Sequence, residues 1–469
     1  MPLPPLLVSL LLAQAPASPL KPCSVPNLQE EVRCGTYEVW ENREQRAGRK
    51  IPLNIVVIPA LAAKPKPDPL FVLVGGPGQG ATDGAAGDAQ RFAAIRKERA
   101  IVLLDQRGAG QSNPLHCDLG GDPNALVGLF TAGVAPPEAA RACRDQLEKK
   151  ADLRHYTTTA FIHDLDEVRA WLGYEQVNLY GGSYGSRAAL EYLRRYPKRV
   201  RTATIRAVDV GGPLEAARDA QDALDKLLDD CAKEEACAKA YPNLRADLDT
   251  LLRRIEEKPV VLKSKNRRTG AETDVVITRD VLAGGIMRWL ADPGAARQVP
   301  LGIQRFLAGD FSGFETVVAR VTGLGNALAL GLNISVNCAE WGAHIQEGQI
   351  AAAVRGTVFG GARAQGLLNI CKVWPRGAAP ADIFDPIRAD NPVLILSGAI
   401  DPQTPPRHGE KAARTLPNSL HLIMEGIAHG PFPSCAVGIM AEFVDQGSVK
   451  GLDTSCLKSL RRQPFALPR

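Results

Sequence analysis

Ser183 stands in the stretch NLYGGSYGSRAAL, with Gly181 two residues before it and Gly185 two after. An apolar run ends here and a helical pattern begins. A serine on such a turn, its hydroxyl held clear of the backbone, is suited to nucleophilic attack on a carbonyl. The spacing G-x-S-x-G also occurs in ordinary turns, so the chemistry needs partners: a base, an acid to orient it, and donors for the oxyanion. On a sheet carrying such an elbow the chain order is serine, acid, histidine. Asp401, in LILSGAIDPQTPP, sits on the turn leaving an apolar strand and is followed by prolines, whereas Asp382 and Asp385 lie in a polar connector. Three histidines remain beyond it. His408 opens a surface helix, His421 alternates within the strand SLHLIME, and His429 lies on the glycine-flanked loop MEGIAHGPF. A base that must reach a serine belongs on such a loop, so His429 is the expected base. The oxyanion donors are expected to be the backbone N–H of Tyr184 and that of Gly76 in GGPGQG, with Gly75 the second choice. Asp105 and Arg107, in DQRGAGQS, are expected to brace their loop as a charge-assisted pair without a catalytic part.

These residues need a scaffold that brings distant turns together. Tyr37–Val39 and Ile51–Ile58 read as strands. Short apolar runs follow at Leu70–Val74 and Ile101–Leu104, then in QVNLYGG, TATIRAV, PVLILSG and SLHLIME, with helical patterns among them. Such runs predict an α/β fold with a mostly parallel sheet flanked by helices. Ligands bind at the carboxyl ends of its strands, where the glycine turns, Ser183 and Asp401 fall. Residues 213–389 interrupt the alternation with charged helical sequence and a polar hairpin, VVLKSKNRRTGAETDVVI, and predict an inserted helical cap. The expected division is 18–212 and 390–469 for the two parts of the core, with 213–389 between them.

Residues 1–17 resemble a signal peptide: an apolar run, Leu6–Ala13, precedes Ala15-Pro16-Ala17, although no Lys or Arg precedes the run. The ten cysteines contain no C-x-x-C pair and no zinc-ligand spacing. Spacing alone leaves connectivity open. Pairing neighbours in order gives 23–34, 117–143, 231–237, 338–371 and 435–456, and the polar surroundings of Cys117, Cys231 and Cys237 favour disulfides. Leader and cysteines together point to a secreted or periplasmic protein. The 469 residues carry a net charge of +5 with no Lys/Arg block, so nucleic acid is not an expected partner. The leader run is too short to span a bilayer, and no stable membrane insertion is expected. No metal or cofactor is expected, and the sequence specifies no oligomeric state.

GGPGQG, VLLDQRGAGQSNPL, DLDEVRAWLGYEQVNLYGGSYGSRAALEYLRRYP, LSGAIDPQTP and AHGPF together resemble the prolyl-aminopeptidase and tripeptidyl-aminopeptidase-like branch of the α/β-hydrolases. EVRCGTYEVWENR, VNCAEWGA and ICKVWP resemble its secreted, disulfide-bearing members, and the likeness covers most of residues 23–440. It departs where Val74 replaces the histidine that usually opens the oxyanion motif of prolyl aminopeptidases, and where TATIRAVDVGGP lacks the usual Leu-Asp-Gly. The resemblance implies Ser183, His429 and Asp401 as a catalytic triad beneath a cap. It also implies an acidic residue for the substrate's free α-ammonium, for which Glu340, beside Trp341, is the candidate substrate-binding position. The expected activity is release of N-terminal residues from peptides. A carboxylic-ester hydrolase is the alternative, and a non-catalytic hydrolase-fold binding protein is a third. A carboxylate in the pocket would favour peptides, an all-apolar groove acyl esters.

Overall fold

The computed structural model describes residues 19–117, 137–265, 272–318, 328–430 and 432–468; the leader lies outside them. Nine strands form one sheet: β1 (Lys21–Cys23), β2 (Val32–Trp40), β3 (Lys50–Ile58), β4 (Leu70–Leu73), β5 (Ile101–Leu104), β6 (Val177–Gly182), β7 (Val200–Arg206), then, after a long excursion, β10 (Val393–Gly398) and β11 (Ser419–Met424). Their spatial order is β1-β2-β3-β5-β4-β6-β7-β10-β11. The first three strands join β5 by antiparallel pairing, and every pairing from β5 to β11 is parallel. The sheet is therefore mostly parallel, as the apolar runs predict. Strands β4, β5, β6 and β10 are buried along their whole length because apolar layers cover both faces. One layer includes Phe161, Leu165, Ala188 and Leu193, the other Phe92, Ile439 and Phe443.

The excursion between β7 and β10 is helical apart from an antiparallel hairpin, β8 (Val260–Lys265) with β9 (Glu272–Ile277). Helix Ala216–Lys233 buries Ala220, Leu224, Leu227 and Cys231, a spacing of three to four residues that lays one apolar stripe inward. With helices Leu244–Glu257, Arg279–Leu290 and Val299–Leu307 it encloses a separate core including Leu251, Ile286, Ile303 and Phe306. The block from 213 to 389 is not uniform, however. Helix Leu330–Glu340 and residues Ile370–Trp374 pack into the apolar layer of the main sheet. The C-terminal end also crosses over: Phe465 packs in the helical core, Tyr241 Oη donates to the Ala466 carbonyl, and Ala466 N–H donates to the Arg297 carbonyl. Contiguous segments alone do not describe how the two layers share the chain.

All five neighbour-in-order cysteine pairs are bonded, and no described cysteine is free. No described helix is long and apolar enough to cross a membrane.

Charge ties helix Ala216–Lys233 to helix Pro406–Ala413, which follows β10. Arg407 pairs with Asp219 and Asp222, and the buried imidazole of His408 lies 3.4 Å from Asp219 and 3.5 Å from Glu215. Burial alone would lower the His408 pKa, but these two carboxylates outweigh it and raise it to about 9. The folded state thus holds a proton that the unfolded chain releases near pH 6.5. The stabilisation is fully present below pH 6.5 and is lost as pH rises through 9, for a total of about 3 kcal/mol. Denaturant midpoints should therefore fall between pH 6.5 and 9.5. His408→Gln should flatten that slope; an unchanged slope in the variant would show that His408 is not its source.

Candidate active site

Strand β6 ends at Gly182, and helix Tyr184–Arg195 begins two residues later, with Ser183 alone between them. So abrupt a change of direction puts Ser183 at φ 55°, ψ −128°, a conformation L-residues rarely adopt and that surrounding contacts must hold. Ser183 N–H donates to the Arg206 carbonyl at 3.1 Å, and the Ser183 carbonyl accepts from Ser186 N–H at 2.8 Å and Ser186 Oγ at 2.6 Å. The flanking glycines answer to close approach. A Cβ on Gly181 would lie 2.2 Å from the Gly185 carbonyl oxygen, and one on Gly185 would lie 2.1 Å from that of Leu73. No side chain fits at either position.

His429 Nε2 lies 3.1 Å from Ser183 Oγ, and His429 Nδ1 lies 2.9 Å from Asp401 Oδ2. Asp401 is buried and accepts further hydrogen bonds from Gln403 N–H at 2.8 Å, Thr404 N–H at 3.1 Å and Thr404 Oγ1 at 2.6 Å. Burial alone would raise its pKa; the His429 ring and these donors reverse that and hold it at about 2. Asp401 is thus a carboxylate at neutral pH. Thr404, which sequence reasoning passed over, also stands 3.1 Å from His429 Nδ1. The His429 loop is anchored by Arg206, whose guanidinium donates to the carbonyls of His429 and Gly430 at 3.3 Å each. The other two histidines lie elsewhere: His408 on its carboxylate pair, and His421 2.8 Å from Ser397 Oγ.

Because β4 and β6 are neighbours, the GGPG turn lies against the elbow. A Cβ on Gly75 would come within 3.3 Å of the Ser183 Cβ, and Gly76 takes φ +116°, which favours glycine. Tyr184 opens its helix, so its N–H has no partner within that helix.

These groups border a cavity of about 410 Å³, within the range of roughly 300–1,000 Å³ usual for ligand sites. Leu328, Ile334 and Leu367 give it an apolar side; Asn333, Asn337, Gln79 and Gln403 give it amides. Three arginines, Arg206, Arg288 and Arg363, also line it, and no Asp or Glu does among the described residues. The site is neither the carboxylate pocket nor the all-apolar groove between which the sequence left a choice.

Two expectations need correction. Glu340 does not face this cavity. It is 1% exposed and buried behind the elbow, bonded to Thr158 Oγ1 and to Arg187, which also holds Asp209 at 2.7 Å. Its carboxylate is already bonded on both oxygens within the protein, so it is not placed to receive an ammonium. Trp341 lines a separate, smaller cavity with Arg187 and Asp209, its ring 4.1 Å from that of Phe384. Arg107, in turn, pairs with Asp164 at 2.6 and 2.7 Å and not with Asp105. Asp105 instead accepts from Asn54, Thr82 and Gln111. Both residues are structural, through partners distant in sequence.

Two family models match the chain: "alpha/beta hydrolase fold" over residues 68–256 and "TAP-like protein" over residues 356–456. Serine protease Hip1 of Mycobacterium tuberculosis is 27% identical over 457 residues, covering 87% of this chain and 84% of that protein. The proline iminopeptidase of Xylella fastidiosa is 29% identical over 144 residues, 31% of this chain and 33% of its own. The tripeptidyl aminopeptidase of Streptomyces lividans is 28% identical over 197 residues, 39% and 36% of the two chains. The chain has the α/β-hydrolase fold and is similar to prolyl and tripeptidyl aminopeptidases, and these relatives mark it as an enzyme of the serine-hydrolase class.

Because Glu340 shares Arg187 with Asp209 out of contact with the cavity, Glu340→Gln should lower stability by about 1–3 kcal/mol, through the loss of one charge-assisted bond in a buried cluster whose Arg187–Asp209 pair remains. Any change in kcat/KM should be the same for free-amine and N-acylated substrates. A loss confined to free-amine substrates, with stability intact, would return Glu340 to the binding site.

Proposed function

We propose that the protein is a serine peptidase that acts outside the cytoplasm and releases short N-terminal segments from peptides. The observation that carries the chemistry is the single line of hydrogen-bond distances from Ser183 Oγ through His429 to Asp401 at the cavity edge. In this reading Ser183 Oγ attacks the scissile carbonyl while His429 Nε2 takes its proton. Asp401 accepts from Nδ1–H, fixing the tautomer and stabilising the imidazolium. The N–H groups of Tyr184 and Gly76 receive the oxyanion. His429 returns the proton to the departing amine, leaving an acyl-enzyme on Ser183. Water, deprotonated by His429, then attacks the ester, and the proton passes back to Ser183 as the acid product leaves.

The peptide substrate is supported by the protease and aminopeptidase relatives. Action at chain ends is supported by the way residues 328–334 and 363–370, from the proposed cap, wall the cavity over Ser183. The arginines in that wall repel an ammonium, which favours release of more than one residue, so that the N-terminus lies away from them. The five disulfides support an oxidising compartment.

Ser183→Ala and His429→Ala should each lower kcat by roughly 10⁶ and Asp401→Asn by roughly 10⁴ while the protein stays folded. A fluorophosphonate should label wild type at Ser183 and leave Ser183→Ala unlabelled. Labelling of another serine would overturn the assignment. Equal turnover of tripeptide anilides with free and acetylated N-termini would overturn the exopeptidase mode.

A further inference from the structure

Helix Leu330–Glu340 is fastened to the GGPG turn at two points. Ala329 N–H, just before the helix, donates to the Gly78 carbonyl at 2.9 Å, and Asn333 Nδ2 donates to the Pro77 carbonyl at 3.0 Å. Within the helix every residue is buried except Asn333 and Asn337. These two stand four residues apart on one face, and both line the Ser183 cavity. Their neighbours fix which way each amide points. The Pro77 carbonyl can only accept, so Asn333 turns its nitrogen toward it. Asn337 then meets two acceptors on Asn333, the carbonyl at 2.9 Å and Oδ1 at 3.1 Å. Only a nitrogen satisfies both, and flipping either amide would set oxygen against oxygen. Asn337 Oδ1 is the atom left over. It has no hydrogen-bond partner among the described residues and is not one of their buried unpaired atoms, so solvent reaches it. With the rest of the helix buried, that solvent is the cavity's own.

An amide oxygen open to solvent bonds water until a ligand displaces it. The ligand must then bring a donor of its own or leave the oxygen unpaired, and the second outcome weakens binding. A peptide brings an N–H. An ester linkage in the same place turns a second oxygen toward the first, and a site built around such a bond rejects the analogue that lacks it. The two fastenings also hold the Asn337 amide in register with the turn beside Ser183. We infer that Asn337 is a specificity-determining residue of the Ser183 cavity: its side-chain oxygen accepts an N–H of the bound peptide, and Asn333 is the positioning residue that orients it. This rests on the reading of Ser183 as the nucleophile. Two groups of a peptide have the required chemistry, an internal N–H of the released segment and the free N-terminal ammonium. Either one gives the cavity a reason to prefer peptides to acyl esters.

The test measures protection of Ser183 from a fluorophosphonate, so it does not depend on turnover. The ligands are Ala-Ala-Ala amide, its two analogues with one internal N–H replaced by an ester oxygen, and the analogue whose N-terminal ammonium is replaced by hydrogen. In wild type at least one replacement should raise the half-protecting concentration about tenfold. An effect of an ester oxygen identifies an internal N–H, and an effect of the missing ammonium identifies the terminus. Asn337→Leu, similar in size but without the amide, should bring that ratio close to one, and Asn337→Ala should do the same, so the result does not hang on one variant. Labelling of both variants at Ser183 without ligand reports that the site is still formed. Equal protection by all four ligands in wild type would overturn the inference, as would absence of protection by any of them or a ratio unchanged in the variants; Ser183 would still be labelled, leaving the nucleophile intact. Failure of wild type to label at Ser183 would overturn the nucleophile and the role of Asn337 together.

Discussion

The approach of the helix Tyr184–Arg195 to the end of β4 governs this molecule. Gly185 sits so close to the Leu73 carbonyl, and Gly181 so close to Gly185, that one extra carbon at either position would collide with backbone. That contact forces the turn at Ser183 and ties the serine's position to three strands at once. β6 carries it, β4 delivers the Gly75–Gly76 turn beside it, and β7 accepts its N–H through the Arg206 carbonyl. The loops after β10 and β11 then bring in Asp401 and His429 from the same edge of the sheet.

Charge is handled differently on the two sides of the elbow. Behind it the buried ions have opposites: Arg107 with Asp164, Arg187 with Asp209 and Glu340. Such pairs contribute little net stability relative to apolar packing, but removing one partner is costly, and they fix the alignment of distant segments. Asp401 follows the same logic within the site, its charge held by donors on three residues. In front of the elbow the cavity presents arginines and amides with no acid on its described wall. Arg206 nevertheless belongs with the groups that build the site, since it holds the His429 loop.

What was legible in the sequence was what local sterics and periodicity encode. Short apolar runs ending in glycine marked the parallel strands. A serine between two glycines marked the elbow. Asp401 and His429 stood out because each follows a buried or half-buried strand and sits before a break in regular structure. Partners chosen across the chain were not legible. Arg107 lies two residues from Asp105 yet pairs with Asp164, 57 residues away, and Glu340 meets Arg187 across 153 residues. The character of the cavity was hidden for the same reason. Arg288 and Arg363 belong to helices of the excursion, where an arginine on a polar face looks like a solvated charge until the helices are placed. The division of layers was equally hidden, since Leu330–Glu340 and Phe465 each pack with the layer their position in the chain would not assign them to.

The distance between Ser183 and His429 along the chain, 246 residues, has a consequence for the life of the molecule before it is complete. A growing polypeptide acquires the hydroxyl and its elbow early, with β4, β6 and β7 already available to set them. The imidazole follows only after the whole helical excursion and β10 have been made. A chain interrupted anywhere in between holds a serine with no group to take its proton. On the roles proposed for Ser183 and His429, a chain cut short leaves no active fragment behind.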